Sequence, residues 1–145
     1  MLKDNNFEQK PNYYKYDPSF LLICDDIMGS NLISNKKSNK ICELIPNHRH
    51  LHLNIFLLCQ NYTNGLPANI RRLISKFFLW KFNDLKEIET FYNEIANSYF
   101  NSFDEFRKVY LDITKIKHNF MLIDTDCKND DLTIRSGFNI LYKLK

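Results

Sequence analysis

Glycine and proline are scarce in this chain, which has three Gly and four Pro among 145 residues. The glycines stand far apart, so the sequence contains no loop of the form G-x-x-x-x-G-K-[ST] and no G-x-S-x-G turn. No apolar run approaches the roughly 20 residues that span a bilayer. The first residues also lack the apolar segment of a signal peptide. We therefore expect neither a membrane-spanning nor a secreted protein.

Cysteine is also sparse, and its spacing argues against two common kinds of site. The four cysteines are widely separated and form no C-x-x-C pair. Two of them lie inside apolar runs, where cysteine behaves as a small hydrophobic residue. We expect reduced thiols in a reducing compartment and no disulfide framework. The four are Cys24, Cys42, Cys59 and Cys127.

Apolar and aromatic residues are abundant, at 44% and 14% of the chain. This content is sufficient for a hydrophobic core, and the length suits a single domain. Lys and Arg number 20 against 17 Asp and Glu, which gives a formal charge of +3. Such a small excess does not by itself indicate a nucleic-acid partner, since binders concentrate positive charge on one face.

Three apolar runs predict β-strands, at residues 20–24, 51–59 and 77–82. The first two contain continuous apolar stretches, which are typical of strands covered on both faces in a parallel sheet. Residues 1–18 are polar and contain two prolines. They predict an irregular lead-in, followed by one domain over residues 19–145.

Helical patterns occupy the middle of the chain. Apolar residues recur at gaps of three and four over 85–99 and again over 103–113. Asp84 and Ser102 precede these stretches and are residue types that cap helices. Glu87 lies three residues after Asp84, which is close to a capping box.

The ends of the domain add shorter elements. A short helix is expected at 40–44, and strands at 119–123 and within 132–144 predict a terminal hairpin. The fold class is therefore α/β, with a mainly parallel sheet flanked by helices and a C-terminal strand hairpin. In such sheets, ligands bind at the carboxyl ends of the strands.

Two acids follow the first predicted strand, Asp25 and Asp26. An apolar strand that ends in carboxylates has the form of a Walker B element. The first carboxylate would hold Mg²⁺, which prefers oxygen ligands, and the second would orient or deprotonate the attacking water. The alternative is an ordinary acidic turn after a strand.

Gln60 closes the second predicted strand, where its amide would reach a γ-phosphate or the attacking water. The alternative is a turn residue beside Asn61.

Arg71 and Arg72 follow a loop, and an Arg in such a place would serve as an arginine finger. The alternative is a solvated basic pair.

Three histidines at spacing two, His48, His50 and His52, would share one face of a strand. That face would offer metal ligands, although no carboxylate or cysteine lies within the same stretch. A basic patch that contacts phosphate or DNA, or plain surface histidines, are the alternatives.

The order of these motifs is more specific than any one of them. It resembles the genome-packaging ATPases of large DNA viruses and related mobile elements, in the FtsK/HerA branch of the P-loop NTPases. The resemblance covers about residues 19–140. The matching segments, in chain order, are Leu21-Leu22-Ile23-Cys24-Asp25-Asp26, Arg49-His50, the strand ending in Gln60, Pro67-x-x-Ile70-Arg71, Phe120-Met121-Leu122-Ile123-Asp124 and Arg135-Ser136-Gly137-Phe138.

The resemblance implies a RecA-like core, Mg²⁺-dependent ATP hydrolysis, assembly into a ring, and translocation of double-stranded DNA into a viral capsid. It places the protein in the host cytoplasm or the virion. By position, it assigns Asp25 to Mg²⁺, Asp26 to the catalytic base, Gln60 to the γ-phosphate sensor and Arg71 to the finger. Arg49 and His50 match a pair in that family, but the resemblance assigns them no role. Apart from the resemblance, the basic residues Arg49, His50 and Arg72 are candidates for contact with DNA or phosphate.

The sequence departs from that family in one respect, since the Walker A loop and its Lys are absent ahead of Asp25. We expect a truncated or split product that requires a second polypeptide carrying the Walker A half. Two alternatives remain at this point. One is a non-catalytic remnant or accessory ring subunit, and the other is a small basic DNA-binding domain.

Overall fold

The computed structural model describes residues 19–26, 40–128, 133–138 and 140–141. The expected lead-in at 1–18 lies outside the described residues, as does the stretch at 27–39. Along the described residues, helices alternate with strands, as the α/β prediction requires. None of the helices described there has the length and apolarity needed to cross a membrane.

β1 (Phe20–Cys24) and β2 (Leu53–Leu57) form a parallel pair in which Phe20 lies opposite Leu53 and Cys24 opposite Leu57. The prediction of β1 is confirmed at both ends. β2 is shorter than the predicted 51–59 because His48–Leu51 forms a 3-10 turn and His52 has left-handed backbone, with φ of 49°. A strand starts only after that turn has been completed.

The second sheet has the order β3-β4-β5-β6, and every neighbouring pair in it is antiparallel. The expectation of a mainly parallel sheet is therefore wrong for the described strands. Two helices connect β3 to β4 and return the chain to the end at which β3 finished, whereas one crossover helix would have made the pair parallel. The predicted C-terminal hairpin is confirmed by β4 and β5. The strands are β3 (Lys76–Leu79), β4 (Met121–Asp124), β5 (Ile134–Ser136) and β6 (Ile140–Leu141).

Five α-helices separate these strands. The two long ones begin at the predicted caps: the Asp84 carboxylate accepts from the Lys86 amide at 2.8 Å, and the Ser102 hydroxyl accepts from the Glu105 amide at 3.2 Å. Glu87 takes no part in a capping box with Asp84, because its carboxylate faces another helix. The helices are α1 (Lys40–Asn47), α2 (Tyr62–Gly65), α3 (Ala68–Arg71), α4 (Leu85–Glu94) and α5 (Phe103–Thr114).

The main core lies between α4, α5 and one face of the antiparallel sheet. Aromatic rings dominate it, and Phe77 meets Phe91 edge to face at a centroid distance of 5.2 Å. A smaller core under β2 contains Ile45, Leu66 and Ile70. Both cores touch Ile74, so the two sheets share a continuous interior.

The opposite faces of both sheets carry exposed or half-buried apolar side chains, which we call the outer face. On β1 and β2, Leu21 and Ile23 are 56% and 55% exposed. The prediction that these strands are covered on both faces is therefore wrong for the described residues, since no described element packs over the outer face. Its members are Leu21, Ile23, Phe56, Leu58, Phe78, Trp80, Phe120 and Phe138, and rings of the last four contact one another.

Tyr110 is the polar link between α5 and the segment after β3. It is fully buried, donates to the Trp80 carbonyl at 2.7 Å and accepts from the Phe82 amide at 2.5 Å. These bonds draw residues 80–82 away from the sheet, which explains why β3 ends before the predicted residue 82.

We expect Tyr110→Phe to lower the free energy of unfolding by about 1–3 kcal/mol, because it leaves two backbone groups without their partner. Denaturant unfolding measures the change. Tyr92→Phe is the matched control, since the Tyr92 hydroxyl has no partner among the described residues while its ring packs on Phe103. Equal losses in the two variants would contradict the role of the Tyr110 hydroxyl.

Candidate functional site

The carboxyl ends of β1 and β2 bring three of the predicted residues to one edge. Cys24 and Leu57 are paired, and the Leu58 amide donates to the Cys24 carbonyl at 2.9 Å. Asp25 and Asp26 leave this edge from β1, and Gln60 leaves it from β2. All three residues are exposed, so their oxygens are available to a ligand.

Asp26 has left-handed backbone, with φ of 46°. Among non-glycine residues, Asp and Asn adopt this region most readily. The chain therefore bends at Asp26, directly after Asp25. A bulkier or β-branched residue at position 26 would strain this turn.

The segment after Gln60 is fixed by a carboxylate from a distant helix. Glu87 of α4 is buried and accepts from the Tyr62 amide at 2.7 Å and the Thr63 amide at 2.8 Å. The Thr63 hydroxyl donates to the other oxygen of the same carboxylate. These are the free amides at the start of α2, where a negative charge is favourable. Glu87 thus sets the position of the chain two residues beyond Gln60.

Arg71 is buried, with 7% of its surface exposed, and it is held by four acceptors. Its Nε and Nη2 donate to the two oxygens of Glu94 at 2.8 and 2.6 Å. Its Nη1 donates to the carbonyls of Leu66 at 2.6 Å and Thr63 at 3.2 Å. The guanidinium also lies 4.9 Å from the centroid of the Tyr62 ring. Such fork-shaped pairing with a carboxylate fixes both partners.

The charges of this cluster shift the pKa of its members. Hydrogen bonding to Arg71 holds the pKa of Glu94 below its usual value. At pH values above the ordinary pKa of a glutamate, the ionised Glu94 carboxylate therefore stabilises the fold. This stabilisation is lost as the pH falls through the lowered pKa of Glu94. Burial raises the pKa of Tyr62, whose hydroxyl donates to Glu94 at 2.9 Å, so the phenol stays protonated.

The adjacent arginines have different environments. Arg72 is exposed, while Arg71 is occupied by Glu94 inside its own chain. The alternative of a solvated basic pair is therefore wrong for Arg71. A finger role for Arg71 would require its release from Glu94, and in the arrangement seen here Arg72 is the accessible member of the pair.

A basic cavity of about 670 Å³ lies at the opposite end of the strands. It is bounded by Leu53 and Asn54, where β2 begins, and by Ser75 and Lys76, where β3 begins. Two acids partly compensate its positive charge. Arg49 pairs with Asp126 at 3.6 Å, and Lys76 pairs with Asp124 at 2.6 Å. Basic or imidazole side chains in its wall come from His48, Arg49, His52, Arg72 and Lys76, and His50 is not among them.

The three histidines are not arranged as the sequence predicts. His48 and His50 belong to the 3-10 turn, so the three histidines do not share a strand face as predicted. The His48 ring Nδ1 is 2.6 Å from the Ile45 carbonyl. Within the ranges that the structure describes, no three His, Cys, Asp or Glu side chains cluster closely enough to hold a metal.

Sequence reasoning did not find Glu94, Lys76 or the role of Glu87. Glu87 and Glu94 are seven residues apart and therefore share one face of α4. This spacing was the only feature of the sequence that could have indicated a shared role. Their partners are 23 to 32 residues away along the chain, so the sequence could not pair them. Lys76 and Asp124 meet only because β3 and β4 pair.

The described arrangement is similar to a solved viral NTPase. That structure is the genome packaging NTPase B204 from Sulfolobus turreted icosahedral virus 2, in complex with ATP-gammaS. The TM-score is 0.58 at 16% identity, and the match covers 83% of this chain and 55% of that one. The chain thus spans about half the length of B204, and the likeness defines its fold as similar to that of a viral packaging NTPase.

The family model of the Poxvirus A32 protein matches residues 2–125. The chain belongs to that family. The resemblance to viral genome-packaging ATPases drawn from the motif order is therefore confirmed. No curated protein matches the chain in sequence.

We expect Arg71→Ala to lower the free energy of unfolding by about 2–4 kcal/mol, because it leaves Glu94 without its buried partner. Arg72→Ala is the matched control and should change stability by no more than about 0.5 kcal/mol. Chemical denaturation of the two variants tests this. Similar stability of the two variants would show that the ion pair between Arg71 and Glu94 does not stabilise the fold.

Proposed function

We propose that this chain is the Walker B-to-C-terminal portion of a viral DNA-packaging ATPase, which couples Mg²⁺-dependent ATP hydrolysis to the movement of double-stranded DNA into a capsid. The observation that carries the proposal is the common edge formed by Asp25, Asp26 and Gln60. Membership of the Poxvirus A32 protein family and likeness to a packaging NTPase support the same class.

The donor set at this edge suits Mg²⁺ bound together with a nucleotide. Mg²⁺ is usually held by one or two carboxylates plus substrate phosphates, with water completing the shell. Asp25 would hold the ion, which would neutralise charge on the phosphates. Asp26 would accept the proton of the attacking water, and the Gln60 amide would orient that water.

The phosphate-binding loop must come from elsewhere for this chemistry to proceed, since the sequence has no G-x-x-x-x-G-K-[ST] segment. We therefore propose that the chain acts either in a complex with a polypeptide that carries the Walker A half or in a homo-oligomeric ring. In either assembly Glu87 and Glu94 are positioning residues, because they hold the segments that follow Gln60 and precede Arg72.

In a complex that hydrolyses ATP, we expect Asp26→Asn to lower turnover at least 100-fold while ATP binding is retained, as expected on loss of a general base. Asn keeps the left-handed backbone accessible, so the turn at residue 26 survives. Phosphate release measures turnover, and a fluorescent nucleotide measures binding.

The control for Asp26→Asn is Asp104→Asn, which removes one exposed carboxylate from the first turn of α5. It should leave turnover within about twofold of the starting value, since surface substitutions rarely perturb the fold. Unchanged turnover in Asp26→Asn would refute the assignment of the base.

A second candidate function is contact with the DNA backbone, and the basic cavity favours it. We propose Arg49 and Arg72 as phosphate contacts in the cavity wall, with His50 as an exposed neighbour outside it. Lys76 is paired with Asp124 and Arg49 with Asp126, so Arg72 is the strongest candidate. This function is compatible with the first, because the cavity and the Asp25 edge lie at opposite ends of the strands.

For duplex DNA, we expect Arg72→Ala to weaken binding and to reduce the slope of log K against log salt by about 0.9, the effect of one lost phosphate contact. Titrations of a short duplex at several salt concentrations measure the slope. Lys108→Ala removes the same charge from the exposed side of α5 and should leave the slope unchanged. Failure of the parent chain to bind DNA at low salt would exclude this function.

A further inference from the structure

Tyr62 contacts both of the α4 glutamates that hold the segment after β2. Its amide donates to Glu87 at 2.7 Å, and its hydroxyl donates to Glu94 at 2.9 Å. The Arg71 guanidinium lies over its ring, 4.9 Å from the centroid. The residue is only 4% exposed, and its ring packs edge to face on Phe91 at 5.1 Å. Tyr62 is thus joined to the main core by its ring and to α4 by two hydrogen bonds.

The Tyr62 hydroxyl bonds to a carboxylate oxygen that Arg71 also uses. Oε2 of Glu94 accepts from the Tyr62 hydroxyl at 2.9 Å and from the Arg71 Nε at 2.8 Å, while Oε1 accepts from the Arg71 Nη2 at 2.6 Å. The Glu94 side chain is 31% exposed, so water competes for these oxygens. A second donor from a buried residue therefore keeps the carboxylate turned toward the guanidinium. A phenylalanine at position 62 would fill the same space without providing this donor.

The backbone at Gln60 is held on both sides. Two residues before it, the Leu58 amide donates to the Cys24 carbonyl at 2.9 Å. Two residues after it, the Tyr62 amide donates to Glu87 at 2.7 Å. The position of Tyr62 therefore limits the region that the exposed Gln60 side chain can reach.

The same cluster holds the backbone at Arg72. Arg71, which precedes it, is bound through its side chain to Glu94, and the Arg72 amide donates to the Ala68 carbonyl at 3.3 Å. The Arg72 side chain is exposed and lies in the wall of the basic cavity. One end of the segment 62–71 therefore lies near the proposed water-orienting amide of Gln60. The other end adjoins the strongest candidate for phosphate contact.

We propose that Tyr62 is a positioning residue, which holds residues 62–71 against α4 and thereby couples the position of Gln60 to that of Arg72. The inference rests on the proposed function, which gives these two side chains their roles. A tyrosine suits this place because its ring supplies burial and a cation–π contact with Arg71, while its hydroxyl bonds to Glu94. Since α2 and α3 have only four residues each, contacts with α4 decide whether the segment moves as one unit.

The first test uses the full chain alone and requires no nucleotide. Tyr62→Phe keeps the buried ring and removes the bond to Glu94. We expect hydrogen exchange of the Arg71 Nε proton, measured by NMR, to become about tenfold faster, because the carboxylate that protects this proton is less firmly held. Tyr92→Phe is the matched control, since the Tyr92 hydroxyl has no partner among the described residues. It should leave the Arg71 rate unchanged, and equal rates in both variants would contradict the proposal.

The coupling itself is measured by perturbing one end of the segment and reading the other. Glu87→Gln weakens the bonds to the Tyr62 and Thr63 amides, and we expect it to speed exchange at the Arg71 Nε by about threefold. In a chain that already carries Tyr62→Phe, the same substitution should leave the Arg71 rate unchanged. Glu89→Gln, which removes an exposed charge from α4, is the control and should have no effect in either chain. An equal effect of Glu87→Gln with and without the Tyr62 hydroxyl, or none in the parent chain, would refute the coupling.

The second test uses a complex that hydrolyses ATP. Tyr62→Phe should lower kcat about tenfold and leave KM within about twofold, because the lost interaction acts on the orientation of water in the transition state. Added to Gln60→Ala, it should cause no further loss, whereas a general loss of stability would slow both backgrounds alike.

An unchanged kcat in Tyr62→Phe, or equal slowing with and without Gln60, would overturn the positioning role. The absence of hydrolysis in every complex would reject the ATPase assignment by itself. The exchange rates of Arg71 do not depend on nucleotide, so they would then decide alone whether Tyr62 couples the two ends of the segment.

Discussion

Two glutamates on one face of α4 hold the segment on which the candidate site depends. Glu87 binds the free amides at the start of α2, and Glu94 binds the guanidinium at the end of α3. α2 and α3 have four residues each, which is too short for a helix to be stable by itself. The path of the chain from Tyr62 to Arg71, which begins two residues after Gln60, is therefore set by two carboxylates of α4.

The sequence predicted what local patterns determine and missed what tertiary pairing determines. The limits of β1, the caps at Asp84 and Ser102, and the terminal hairpin follow from apolar runs and residue type, and the structure confirms them. The direction of β4 and the burial of Arg71 depend on partners far along the chain, so no local signal revealed them. The placement of Asp25 and Gln60 at one edge was predictable because both follow apolar strands that pair in parallel.

The two ends of the β1–β2 pair differ in chemistry. One end offers acidic and amide oxygens from Asp25, Asp26 and Gln60, and the other is lined by Arg49, Arg72 and three further basic or imidazole side chains. Five residues at about 3.3 Å each separate these ends by roughly 16 Å. A cation with its nucleotide at one end and a polyanion at the other would therefore not compete for the same side chains, and one rigid element would connect them.

The outer face carries Trp80, which is the single tryptophan of the chain and is half exposed. Its ring lies 5.2 Å from that of Phe120 and 6.5 Å from that of Phe78, whose own ring contacts that of Phe56 on β2. Any element that covers this face must displace water from the indole. The protein thus contains an intrinsic fluorophore in one defined place, and its emission wavelength reports the hydration of that face without a label.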